Sequence, residues 1–193
     1  MGRPREFDME LALSNAMGAF WDHGYEATSV SDLMDAMNLQ KGSIYKAFGD
    51  KHGLYIASLK HYLDQAYQSD RDALEGADDS KEAIRNWLLN DVVPCCKQSF
   101  KRGCLMINAI SELSYKDKDV EKITKDHLKK LTILLKDVIQ KGQVKRNIRN
   151  DIDASEIANL IVVNLIGMIT LTKCNTSQSE HKKNISNLLT LLD

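Results

Sequence analysis

The sequence predicts an all-α fold, and three observations support that prediction. The 193-residue chain contains only two prolines, Pro4 and Pro94, so little interrupts helix formation. Apolar residues recur at three- and four-residue steps over long stretches, which is the period of an amphipathic helix. Hydrophobic residues make up 43% and charged residues 27% of the chain, a balance typical of globular proteins. We therefore expect a helical protein built from a small domain and a larger one.

The first two helices are defined by their end signals. The first is predicted from Asp8 to about His23, and Gly24 ends it. The second is short and begins at Ser29, because Ser29 and Asp32 have the spacing of a capping box. Both helices carry a single apolar stripe, so each is expected to bury one face.

A turn and a third short helix follow. The turn passes through residues 37–39, and the helix runs from Gln40 to Ala47, with Ile44 and Phe48 facing inward. Two short helices joined by such a turn form a helix-turn-helix, whose second helix enters the major groove of DNA. A solvated surface helix with ordinary lysines is the alternative interpretation of this segment.

Six further helices complete the prediction. The fourth runs from Asp50 to about Leu74, and the acidic stretch 75–80 separates it from the fifth. The others are predicted at residues 81–93, 101–114, 117–141, 153–172 and 179–192. The sequence therefore predicts about nine helices, without an internal repeat.

Charge, hydropathy and cysteine content limit the possible functions. A net charge of −1 gives no overall attraction to nucleic acid, so a site for a polyanion must be local. The longest apolar stretch, residues 157–171, is short and contains two asparagines, and the N-terminus lacks an apolar signal region. We expect a cytoplasmic protein with no membrane contact. The four cysteines are expected to be free thiols, with no metal site and no cofactor.

Residues 20–51, "FWDHGYEATSVSDLMDAMNLQKGSIYKAFGDK", contain the pattern KGxxYxxFxxK and follow the basic stretch "GRPR". This segment resembles the DNA-binding domain of the TetR family of transcriptional repressors. The positions that match the family pattern are Phe20, Gly24, Tyr25, Thr28, Val30, Gly42, Tyr45, Phe48 and Lys51.

The resemblance implies a domain organisation and a function. Residues 1–50 are expected to form a three-helix helix-turn-helix domain, and residues 51–193 a C-terminal domain for ligand binding and dimerisation. The implied protein is a dimeric repressor, released from a palindromic operator by an unknown small-molecule inducer or by modification of cysteines. Two alternatives stay open: a helix-turn-helix protein without an inducer, and an enzyme. The five histidines are scattered, however, and no nucleophile with a base is visible.

The resemblance also assigns contacts with double-stranded DNA. Thr28 and Ser29 are expected to cap the second helix near phosphate, and Tyr45 and Lys51 are expected at the phosphate backbone. The remaining expected contacts are Gln40, Lys41, Gly42, Ser43 and Lys46 on the third helix, with Arg3 and Arg5 on the N-terminal arm.

The C-terminal half carries more apolar surface than one small domain can bury. Residues 157–171 are apolar around nearly the whole helix, and residues 185–192 carry a leucine-rich stripe. Symmetric packing of both helices on a second copy would cover them and would give a palindromic operator. The alternative is that both helices belong to the core of the monomer.

Residues 102–114, "RGCLMINAISELS", resemble the start of the sixth helix in one group of these repressors, which includes thiol-based sensors. Cys95, Cys96 and Cys104 lie close together in sequence with lysine and arginine between them, and nearby cations stabilise a thiolate. Cys104 is the first candidate for a redox or electrophile sensor, with Cys96 as its resolving partner and Lys173 as a further cation. Inert buried thiols are the alternative.

The helices of the C-terminal half are expected to surround an inducer pocket. Ordinary core packing is the alternative for most of the side chains involved. The candidate pocket residues are Tyr62, Trp87, Cys96, Phe100, Cys104, Asn108 and Glu112.

Overall fold

A computed structural model describes residues 7–96 and 102–193. Within these ranges the chain forms α-helices and one short 3-10 helix, and no strand, which confirms the all-α prediction. Arg3, Arg5 and Phe100, which were predicted as DNA or pocket contacts, lie outside the described residues. The helices are α1 Met9–His23, α2 Val30–Met37, α3 Lys41–Phe48, α4 Lys51–Glu75, α5 Ser80–Cys95, α6 Leu105–Leu113, α7 Lys118–Lys145, α8 Ala154–Thr172 and α9 Gln178–Leu189, followed by the 3-10 turn Thr190–Leu192.

Short polar side chains define where several helices begin. The Asp8 carboxylate accepts the N–H groups of Glu10 and Leu11 at the start of α1. Ser29 and Asp32 form the predicted capping box of α2: the Asp32 N–H donates to Ser29 Oγ over 3.1 Å, and the Ser29 N–H donates to Asp32 Oδ2 over 2.8 Å. These bonds satisfy backbone donors that the helix itself leaves unpaired.

The turn between α2 and α3 depends on Asn38. This residue adopts a left-handed conformation with φ 51° and ψ 45°, which asparagine tolerates better than most side chains. The following N–H, that of Leu39, donates to the Met34 carbonyl over 3.1 Å. The turn therefore closes tightly, as a helix-turn-helix requires.

Two helix boundaries differ from the prediction for identifiable reasons. Helix α6 begins at Leu105 rather than at residue 101, after Gly103 with its positive φ of 65°. Helix α7 continues past Lys141 to Lys145, because Gly142 remains helical and its carbonyl accepts the N–H groups of Asn147 and Ile148 beyond the helix.

The contacts divide the chain into two compact units. Unit 1 comprises residues 1–65 and 108–124, and unit 2 comprises residues 66–107 and 125–193. Helices α4, α6 and α7 each contribute residues to both units. The core of unit 1 includes Phe20, Leu33, Ile44 and Tyr55, each almost completely buried, and the Phe20 and Tyr55 rings meet edge to face at 5.0 Å.

Helix α8 lies in unit 2, where α5 packs against both α8 and α9. Among the described residues it is the one helix long and apolar enough to cross a membrane, but core helices of soluble proteins share these properties. One side of α8 is buried, whereas Leu160, Val163 and Leu171 are 44%, 66% and 46% exposed. The helix therefore has an apolar face in the core of unit 2 and a second apolar face outside it.

Candidate nucleic-acid interface

Helix α3 has a buried side and an accessible side. Ile44 is 1% exposed and anchors α3, which packs against α2, where Leu33 and Met37 are also buried. Gln40, Lys41, Gly42 and Lys46 are exposed on the other side, and Ser43 and Tyr45 are half-buried. A Cβ added at Gly42 would meet no atom within 4 Å, so a backbone or a base edge has room to approach there.

The N-terminus of α3 is free of side-chain caps. Gln40 occupies the N-cap position, but its side chain makes no capping hydrogen bond, and no acidic residue lies in the first turn. Helix N-termini attract anions through their N–H groups and dipole, and Lys41 adds a cation 5.3 Å from the Tyr45 ring centre. This end of α3 therefore favours a phosphate group.

One predicted DNA contact needs correction. Thr28 was expected to cap α2 beside phosphate, but Thr28 is completely buried and its hydroxyl donates to the Gly24 carbonyl over 2.5 Å. Ser29 alone caps α2, and it remains exposed. Thr28 thus supports the turn between α1 and α2 rather than facing a ligand.

Lys51 lies in the first turn of α4 and contacts the loop between α1 and α2. Its Nζ is 4.5 Å from the centre of the Tyr25 ring and 3.4 Å from the Glu26 carbonyl oxygen. Burial raises the pKa of Tyr25 above its ordinary value, and the negative charges of Glu26 and Asp50 add to that rise. The Tyr25 phenol therefore stays neutral under Lys51 at physiological pH.

Within unit 1, the α1–α2 turn is held by Glu112 in the last turn of α6 and by Lys116, which follows that helix. The Glu112 carboxylate accepts the N–H of Tyr25 at 3.1 Å and the N–H of Glu26 at 2.9 Å. Lys116 Nζ lies 2.9 Å from Glu26 Oε1. Glu112 was predicted to line an inducer pocket, and the structure places its carboxylate on the backbone of this turn instead.

A second link in unit 1 joins α4 to the N-terminus of α7. His52 Nε2 lies 2.8 Å from Asp117 Oδ2, and Asp117 Oδ1 accepts the N–H groups of Asp119 and Val120. Backbone donors and His52 together lower the pKa of Asp117, against the effect of its burial. His52, Asp117 and Asp119 are close enough to hold a metal ion. Because both Asp117 oxygens already accept hydrogen bonds, we interpret the group as a helix cap that is also hydrogen-bonded to His52.

The predicted pocket residues divide between the two units. Tyr62, Asn108 and Glu112 belong to unit 1, where the Tyr62 ring meets Trp21 edge to face at 4.9 Å. Trp87, Cys96 and Cys104 belong to unit 2.

Trp87 is a core residue with a buried polar partner. Its ring is 1% exposed, and Nε1 donates to Asp70 Oδ1 over 2.8 Å. One helical turn after Trp87, burial and the Asp70 charge raise the pKa of Asp91 to about 7. Sequence analysis missed both carboxyl groups, because aspartates on amphipathic helices usually face solvent. The sequence did contain one signal of this buried position: Asp91 follows Trp87 by one helical turn, so both residues lie on the same face of α5.

The cysteines are free thiols in the structure, and their environments differ. Burial raises the pKa of Cys95 to about 11, with further contributions from Cys104 and Asp91, and burial also raises the pKa of Cys96. Burial therefore opposes ionisation of Cys96, the predicted resolving partner of Cys104. Two of the cations expected near it, Lys97 and Lys101, lie outside the described residues. Next to the half-buried Cys104, a Cβ on Gly103 would lie 2.6 Å from Lys173 Cε, so the Lys173 side chain crosses this part of the backbone.

Two family models match the chain. The model of bacterial regulatory proteins of the tetR family matches residues 12–57, from α1 into α4. The model of the tetracyclin repressor-like C-terminal domain matches residues 86–187, more than half of the chain. The chain belongs to the TetR family. It is therefore a DNA-binding transcription regulator, as the resemblance implied, and not an enzyme, which decides one of the two alternatives left open by the sequence.

Individual TetR-family proteins resemble the chain along nearly its whole length. The transcriptional repressor ComR of Escherichia coli K12 is 30% identical over 175 residues, which cover 86% of this chain and 80% of ComR. A cysteine mutant of the regulator CifR, complexed with 26-bp operator DNA, is 29% identical with a TM-score of 0.87, covering 99% and 100% of the two chains. Reduced NemR of E. coli shares the fold, with a TM-score of 0.87 at 16% identity over 95% and 96% of the chains.

Proposed function

We propose that this TetR-family protein is a dimeric cytoplasmic repressor that binds a palindromic operator through α3. An inducer or a cysteine modification then releases it. The observation that carries the proposal is the two-sided α3, which is anchored by the buried Ile44 and carries Gln40, Lys41 and Lys46 on its accessible side. Lysine and glutamine donors suit phosphates and base edges. The relatives with repressor activity and bound operator DNA support the same function.

The exposed apolar residues on the outer face of α8 are evidence for the proposed dimer. Val163, Gly167 and Leu171 line a groove of about 460 Å³, to which Leu188 of α9 and Leu191 of the 3-10 turn also contribute. A Cβ at Gly167 would meet nothing within 4 Å, so another helix has space to approach closely. Asn164, Asn184 and Asn187 also line the groove. Burial of its apolar side chains against a second copy would be favourable and would produce a twofold axis. That axis matches a palindromic operator.

Replacing Lys46 by alanine is expected to weaken operator binding about tenfold, because each protomer loses one cation from the accessible side of α3. The slope of log affinity against log salt concentration should become shallower by about 2 for the dimer. Fluorescence anisotropy with a duplex recovered from bound genomic fragments measures both quantities.

Lys130→Ala is the matched control, since Lys130 is exposed on α7 and should leave the slope unchanged. A Lys46→Ala protein with the affinity and salt dependence of the wild type would contradict the role of α3.

Cys104 is our proposed modification site. Cys104 directly precedes α6, and the Lys173 side chain passes close to the adjacent Gly103. Burial opposes ionisation of the other two clustered thiols, Cys95 and Cys96. Addition of N-ethylmaleimide to the thiolate forms a sulfur–carbon bond, and the adjacent ring carbon takes up a proton.

In a Cys174→Ser background, which removes an exposed thiol, N-ethylmaleimide is expected to release the protein from its operator. The additional substitution Cys104→Ser should abolish that release, and Cys96→Ser should not. Mass spectrometry of the labelled peptides identifies the thiol. Release that persists without modification of Cys104 would disprove this assignment.

A further inference from the structure

The α1–α2 turn contains two backbone donors that neither adjoining helix uses. The N–H groups of Tyr25 and Glu26 follow Gly24, the residue that ends α1, and precede the Ser29 cap of α2. Both donate to one carboxylate, since Glu112 Oε2 accepts from Tyr25 and Glu112 Oε1 accepts from Glu26. Hydrogen bonds to a charged acceptor are stronger than neutral ones, and two adjacent bonds also fix an orientation.

The position of Glu112 on its own helix is unfavourable. It lies in the last turn of α6, which ends at Leu113, and the negative end of a helix dipole repels a carboxylate. The two N–H groups of the turn offset this repulsion, because they supply the positive partners that α6 lacks there. A glutamate at this helix position is therefore explained by its contact with the turn.

Gly24 provides the space for this contact. Its φ is 81°, a conformation that favours glycine, and an added Cβ would lie 3.0 Å from Glu112 Oε2. Thr28 supports the same turn from inside through its bond to the Gly24 carbonyl. The exposed ion pair between Lys116 and Glu26 adds only a weak further contact.

We propose that Glu112 is a positioning residue for operator binding. By fixing the turn that leads into α2, its carboxylate holds α2 and α3 in the orientation that reads DNA. This inference rests on the proposed DNA-binding function and adds a residue that does not itself contact DNA.

The experiment compares Glu112→Gln and Glu112→Ala in the full-length dimer. Glutamine keeps one acceptor oxygen, whereas alanine removes both. We expect operator affinity to fall by about tenfold or more in the alanine variant and by less in the glutamine variant. Hydrogen exchange at the Tyr25 and Glu26 amides should accelerate in the same order, while exchange in α8 and α9 stays unchanged.

Glu82→Gln is the matched control, because it removes the charge of an exposed glutamate on α5. It should change neither the operator affinity nor hydrogen exchange at the Tyr25 and Glu26 amides. Wild-type operator affinity in Glu112→Ala, or unchanged exchange at Tyr25 and Glu26, would overturn the inference. If the alanine variant does not fold, the glutamine variant decides by the same two measurements. If the wild-type protein binds none of the recovered duplexes, the proposed function and this inference both fail. If the wild type and the Glu112 variants bind equally well, only the inference fails.

Discussion

Replacing Asp91 by asparagine is expected to raise the free energy of unfolding at pH 8 by about 2 to 4 kcal/mol. In the wild type, burial raises the pKa of Asp91 from 3.8 to about 7, and the Asp70 charge contributes to the rise. The folded protein therefore holds this proton more tightly than the unfolded chain does. The resulting stability is complete below pH 4 and is lost as the pH rises to about 7, so a buried charge remains at pH 8.

Urea unfolding of both proteins at pH 4.5 and pH 8, at one protein concentration, measures this effect. The increase in the free energy of unfolding caused by Asp91→Asn should be large at pH 8 and much smaller at pH 4.5. Asp126→Asn, which removes an exposed carboxylate from α7, should show no such difference. Equal stabilisation by Asp91→Asn at both pH values would show that Asp91 does not titrate between them.

Replacing Val163 by aspartate is expected to convert the protein to a monomer and to reduce operator affinity by about a hundredfold or more. Val163 is 66% exposed and lines the α8 groove, so the substitution would place a carboxylate from each protomer in the proposed interface. A monomer engages one half-site, so it loses the gain that comes from binding two linked half-sites.

Analytical ultracentrifugation gives the oligomeric state, and anisotropy with the recovered duplex gives the affinity. Val144→Asp is the matched control, because Val144 is 84% exposed on α7 outside the groove and should leave the dimer intact. A Val163→Asp protein that remains a dimer of normal affinity would place the interface elsewhere.

Local chemistry explains why the helix-turn-helix could be predicted from sequence. The capping box of Ser29 and Asp32 and the turn at Asn38 each involve residues a few positions apart, so their spacing is visible in the sequence. The buried position of Ile44 follows from helical period for the same reason.

Interactions between distant residues explain what the sequence could not show. Glu112 binds backbone N–H groups 87 and 86 positions away, and backbone donors have no residue type that a pattern could identify. The Asp70–Trp87 bond is hidden for a related reason, since an aspartate on an amphipathic helix normally indicates a solvated face. Thr28 was misassigned because serine and threonine both cap helices, and adjacent hydroxyls at 28 and 29 cannot be ranked from sequence alone.

The assignment of α3 and of the outer face of α8 to different units has a genetic consequence. Helix α3 belongs to unit 1 and the α8 groove to unit 2, so a change such as Lys46→Ala leaves the proposed dimer interface untouched. In a cell that makes both versions of the chain, such a variant would pair with normal subunits and leave one half-site of the operator unread. Alleles damaged in α3 should therefore be dominant over the normal allele, whereas alleles damaged at Val163 should be recessive.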